Sequence, residues 1–154
     1  MTAAIVIERE GMKTDESCVF CKIAAGKIPA AKVIEDESSI AFLDIGPLAK
    51  GHVLLIPREH FVTLDEMTGE SAGRMLLHLP SLVHAVKQVT GCAGVNVLQN
   101  NGRVANQVVQ HVHFHIIPRN EGDAFGFNWP AGSYRPGEVE MLLEKLQKAL
   151  PEVR

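Results

Sequence analysis

The stretch Gln110-His111-Val112-His113-Phe114-His115-Ile116-Ile117, closed by Pro118, decides the reading of this chain. Polar and apolar residues alternate along it, and successive side chains of a strand point to opposite faces. His111, His113 and His115 then share one face, separated by roughly 6.6–6.8 Å per two residues. Val112, Phe114 and Ile116 take the other face, into the core. Their burial pins the register, because a slip of one residue would exchange the faces. A neutral middle imidazole carries a lone pair on one nitrogen and a proton on the other. The bare nitrogen can attack phosphorus, and the outer rings can donate protons to phosphate oxygens or to a departing group. An unperturbed histidine titrates at about 6.5, so both forms are reachable near neutrality. Two other readings compete. A solvated face of an edge strand would more often carry Lys, Glu, Thr or Ser. A catalytic metal site built from all three rings is chemically sensible, and spacing alone leaves it open.

Outward from this strand the pattern is regular. Val95–Gln99 reads as the strand before it, followed by the turn signal Asn100-Asn101-Gly102. Thr68–Thr90 has the longest helical spacing, through Met75, Leu76, Leu79, Leu82, Val83, Val86 and Val89, and Pro80 should kink or divide it. Gly91 is its stop signal. Lys32–Glu35 and Ser39–Leu43 read as two strands around the turn Asp36-Glu37-Ser38. His52–Ile56, stopped by Pro57, is a third strand, apolar on both faces and therefore central. Cys18–Ala25 reads as a helical turn ending near Gly26. Residues 119–135 look irregular, and Pro136–Leu150 closes as an amphipathic helix. The expected class is α+β: about five mostly antiparallel strands, with a long helix and a C-terminal helix packed on one face. Residues 1–16 read as an extension with an apolar AIVI patch, and residues 17–154 as a single domain.

Bulk properties narrow the function classes. The chain has 154 residues, 46% of them hydrophobic, enough for one core. The net charge is −3, with acids and bases interspersed and no basic block, so no nucleic-acid partner is expected. No apolar run spans a bilayer, and the opening residues lack a basic start and a cleavage site, so neither membrane nor signal peptide is expected. Three cysteines make a poor disulfide framework, which points to the cytoplasm.

His111–Ile117 fits the histidine-triad pattern, in which three histidines alternate with apolar residues and two apolar residues follow. The chain resembles the histidine-triad (HIT) superfamily, in its Hint-like branch, from about Cys18 to Trp129. The likeness includes Val19-Phe20, Ile28-Pro29, Ala41-Phe42-Leu43-Asp44-Ile45, Gly51-His52-Val53, Ile56-Pro57 and Asn100-Asn101-Gly102. The resemblance implies an enzyme acting at the α-phosphorus of purine nucleotides, of the nucleoside 5′-phosphoramidate type, through a nucleotidyl-histidine intermediate. It places the nucleophile at His113, the leaving-group residue at His115 and a tuning residue behind the nucleophile at His52. Asp44 holds the ribose hydroxyls. Val19, Phe20, Ile23, Leu43 and Ile45 wall the base pocket or serve as plain core. Asn100 and the loop on to Val108, with Asn106 and Gln107, meet the phosphate. Family members often carry Gly-Gln followed by Ser, Thr or Glu there. This chain has Asn106-Gln107-Val108, and Val108 offers no hydroxyl.

Cys18-x-x-Cys21 is half of a zinc site by spacing, and a reduced cysteine pair otherwise. Bacterial HIT proteins similar to this chain complete such a set with two histidines, which fall on His60 and His111. A Cys2His2 set would be closed and structural. Cys92 lies outside it, and His78 and His84 read as surface or dimer-contact residues. The resemblance implies no organic cofactor and a homodimer, with the Phe125–Trp129 tail reaching toward the partner. Two alternatives stay open: hydrolysis of dinucleoside polyphosphates of the diadenosine type, and a nucleotide-binding regulatory module with little turnover.

Overall fold

A computed structural model describes residues 11–126 and 130–152. Five strands form one sheet: β1 (Lys32–Glu35), β2 (Ser39–Leu43), β3 (Val53–Pro57), β4 (Gly94–Gln99) and β5 (Phe114–Arg119). Their order is β1-β2-β3-β5-β4, and every neighbouring pair is antiparallel. The helices are α1 (Val19–Ala24), α2 (Gly69–Leu76), α3 (Leu79–Thr90) and α4 (Glu138–Ala149). Contacts divide the chain into two compact units, residues 1–123 and 124–154. No described helix is long and apolar enough to cross a membrane.

Both faces of the sheet carry apolar side chains, because β2 and β3 are apolar at successive positions. Ala41, Val53, Leu55, Phe114 and Ile116 join Val112, Phe61, Met75, Leu82 and Val86 in one core, beneath α2 and α3. Ile40, Phe42, Leu54 and Ile56 join Cys18, Phe20, Cys21 and Ile23 in a second core, on the side of α1. The expectation of helices on one face therefore holds for α2 and α3, while α1 covers the opposite face. In β5, His115 is in register with Leu54 of β3 and Leu98 of β4.

The strand boundaries of β1 and β2 are as read from the sequence. Asp36 closes their turn, its Oδ1 accepting the Ser38 and Ser39 amides at 2.7 and 2.9 Å. The long helical stretch is divided at Leu77-His78, with Pro80 in the first turn of α3, where its missing N–H costs nothing. Val89 is exposed and is not part of the core face that its spacing suggested. The triad strand differs more. Its ladder begins at Phe114 and runs through Pro118, which pairs with Val95. Beyond Ile116, β5 has no partner on the β3 side, so the strand tolerates a residue without an amide proton. His111 and His113 precede the ladder, in the approach to it.

Buried Arg58 follows β3 and ties three segments. Its guanidinium donates to the Ala24 carbonyl at the end of α1, to the Asp36 carbonyl and to the Glu35 carboxylate. The second unit contains α4, whose Val139, Leu142, Leu143 and Leu146 recur at helical spacing. Of the Phe125–Trp129 tail, Phe127–Trp129 lie outside the described residues, as do residues 1–10.

Candidate active site and Cys/His cluster

Each triad ring is held by a different partner. His113 Nδ1 lies 2.6 Å from the His111 carbonyl. A carbonyl only accepts, so Nδ1 carries the proton and Nε2 keeps a bare lone pair. Burial pushes His113 below the ordinary imidazole value, which favours this neutral form. The edge of Phe20 packs 5.2 Å from the ring, and His115 lies 4.9 Å away on the other contact. His111 is fully buried and donates from Nε2 to the Pro57 carbonyl at 2.9 Å. Burial lowers it to about 4. Burial, followed by the neighbouring His113 and His52, also lowers His115 to about 4. The three rings do not converge on one point, so they make a poor catalytic metal site.

His52 stands beside His115, with Nε2 of the former 2.9 Å from Nδ1 of the latter. It is 2% exposed, and burial lowers it. Its Nδ1 accepts the Leu48 amide at 3.2 Å. Asp44, at the end of β2, accepts the Gly46 amide on Oδ1 at 2.9 Å and leaves Oδ2 3.6 Å from His52 Nδ1. Asp44, His52 and His115 are close enough to suggest a metal set. Asp44 and His115 approach opposite nitrogens of the His52 ring, however, and one ion cannot face both.

Of the pocket-wall residues, Phe20 and Ile23 are buried in the α1-side core, whereas Val19, Leu43 and Ile45 are exposed. The loop after β4 is built by side-chain amides. Asn101 pairs with Gln99 and accepts the Leu64 amide. Gln107, 2% exposed, accepts the Gly102 amide at 2.7 Å and donates to the Val62 and Val109 carbonyls at 2.6 and 3.2 Å. Its carboxamide is spent on shaping the loop. Asn106 adopts φ +66°, the one positive value at a non-glycine among the described residues. The Val108 side chain is 87% exposed. Asn100 is half-buried beside this loop. The groups that fix the ring tautomers, the Leu48 amide and the Pro57 and His111 carbonyls, are backbone atoms, and no side-chain pattern signals them.

Cys18, Cys21, His60 and His111 bring one donor atom each within 4.8 Å of one another. Cys18 Sγ is 3.5 Å from His111 Nδ1, and Cys21 Sγ is 3.3 Å from His60 Nδ1 and 3.6 Å from His111 Nδ1. A tetrahedral zinc with ordinary bond lengths separates sulfur from nitrogen by about 3.5 Å. The donor set therefore fits such an ion. Burial pushes the Cys21 thiol up to about 11, so ionising it here calls for a cation. Among the described residues Cys92 and His84 take no part, and His78 bonds Asp36 instead.

Residues 25–122 match the family described as HIT domain. The adenosine 5′-monophosphoramidase hnt1 of Schizosaccharomyces pombe is 46% identical over 135 residues, 87% of this chain and 98% of that protein. The crystal structure of a HIT family member from Bacillus subtilis superposes with a TM-score of 0.84 at 42% identity, covering 89% of this chain and 99% of the other. A zinc-bound histidine triad family protein from Mycobacterium smegmatis gives a TM-score of 0.67 at 33% identity, covering 87% and 98%.

Proposed function

Because the chain belongs to the HIT domain family, we propose that it is a hydrolase of nucleoside 5′-phosphoramidates. His113 Nε2 attacks the α-phosphorus, the phosphorus–nitrogen bond breaks, and the amine departs with a proton from His115. Water then attacks the nucleotidyl-histidine, returns a proton to His115 and releases the nucleoside monophosphate. One hard displacement becomes two easier ones. The observation that carries this reading is the 2.6 Å bond from His113 Nδ1 to the His111 carbonyl, which aims a bare, neutral nitrogen out of a buried ring. The similarity to a monophosphoramidase supports the substrate class.

Asp44 takes the ribose hydroxyls in this scheme. Phe20, Ile23, Leu43 and Ile45 wall the base. Asn100 and the loop through Asn106, Gln107 and Val108 surround the phosphate, where backbone amides stabilise charge without a lysine. Cys18, Cys21, His60 and His111 would hold a structural zinc, whose contribution is to brace α1 against the sheet. The working form is a cytoplasmic homodimer, and the edge position of β4 among the described strands supports the pairing of two copies.

Adenosine 5′-phosphoramidate is the test substrate. Release of AMP is expected from the wild type and is lost in His113→Ala. Mass spectrometry of the quenched reaction should find the nucleotidyl group on His113. Exposed Val108 favours the rival reading, a binding module without turnover, and binding of AMP with no release would establish that instead.

A further inference from the structure

Resting on the reaction proposed above, we infer that His52 serves the departing group and not the nucleophile: the Leu48 amide and His52 together set the tautomer of His115, leaving it a proton on Nε2. The chain of reasoning starts at a backbone amide, which can only donate. Leu48 N–H points at His52 Nδ1 from 3.2 Å, so that nitrogen accepts and the neutral ring is protonated at Nε2. His52 Nε2 lies 2.9 Å from His115 Nδ1 and donates to it. His115 Nδ1 is then bare, and its proton resides on Nε2. Asp44 Oδ2, at 3.6 Å from His52 Nδ1, is beyond hydrogen-bond distance and leaves the amide in control.

The neighbouring ring is set the opposite way. His113 is protonated at Nδ1 and bare at Nε2. Two rings 4.9 Å apart are thus held as one lone pair and one N–H by unrelated backbone contacts. Burial keeps the His115 ring neutral. A neutral imidazole offers a proton from only one nitrogen, so the tautomer decides whether the departing amine has an acid to use. His52 is accordingly a positioning residue, acting through His115.

Imidazole nitrogen NMR of the resting protein reads the tautomers directly. His52 and His115 are expected as Nε2–H and His113 as Nδ1–H. A series of adenosine phosphoramidates with amines of graded basicity then separates the roles. His52→Leu should slow alkylamine substrates about tenfold or more while hardly affecting arylamine substrates, which depart without full protonation. His52→Gln, whose side-chain amide donates from a similar position, should recover most of that rate. His115 found as Nδ1–H, or a loss in His52→Leu that is equal across the series and unrelieved by Gln, overturns the inference. Should the Leu variant fail to fold, the wild-type tautomers and the Gln variant decide the matter. Absence of turnover in the wild type would overturn the proposed function and leave the tautomer assignment standing on its own result.

Discussion

Gly51 has two independent reasons to be glycine. Its φ is +94°, and a Cβ there would lie 2.5 Å from Thr90 Cγ2 at the end of α3. The first forbids most side chains, and the second sets the spacing between α3 and the entry to β3. Gly51→Ala should cost about 2–3 kcal/mol in urea denaturation, combining backbone strain with a forced shift. Asn106 presents the milder case, at φ +66°. Asparagine tolerates this region better than other side chains. Asn106→Gly should leave stability within about 0.5 kcal/mol, whereas Asn106→Ala should lose about 1 kcal/mol. Equal stabilities for the two variants would show that the backbone, not the side chain, is indifferent here.

At the level of elements, α2 shows how local sequence fixes a boundary. Thr68 Oγ1 accepts the Ser71 amide at 3.1 Å and satisfies one of the orphan donors of the first turn. Thr68→Ala should lower the unfolding free energy by about 1 kcal/mol with α3 unaffected in hydrogen exchange. Boundaries of this kind are legible in sequence because cap, proline and alternation act within a few residues. β1, β2 and the division at Pro80 were readable for that reason, and so was the Cys18-x-x-Cys21 half of the Cys/His set, whereas His60 and His111 were matched to it by likeness to HIT proteins and not by spacing. Three features were not readable. The start of β5 depends on where β3 and β4 offer partners, a tertiary matter that Pro118 alone does not settle. The partner of His52 is 63 positions away, and alternation in β5 says nothing about which triad ring it meets. Gln107 was unreadable as a loop brace for the same reason, since its partners Gly102, Val62 and Val109 assemble only in the fold.

Over the whole molecule, buried imidazoles set the response to acid. His52, His111, His113 and His115 are all held below the ordinary value, chiefly by burial, with His111 and His115 at about 4. Unfolded, each takes a proton near about 6.5. Between those values the unfolded chain binds more protons, so stability is complete above about pH 6.5 and falls as pH drops toward about 4. Calorimetric melting points should decline steadily over that range, and a flat profile there would refute the burial argument. Lys32 and Arg58 hold the Glu35 carboxyl low; against the upward push of burial, the Ser38 and Ser39 amides do the same for Asp36. Their share of stability is lost only at lower pH. Chelation is a separate handle on the molecule. If the zinc proposed for Cys18, Cys21, His60 and His111 is bound, removing it should lower the melting temperature and speed amide exchange in α1, which Arg58 ties separately through the Ala24 carbonyl. The order of those four ligands along the chain also governs biosynthesis. A ribosome delivers the two thiols early and His60 midway, and the cluster closes only when His111 emerges. His113 and His115 follow within four residues and β5 with them, so a product truncated before that point lacks both the full donor set and the triad.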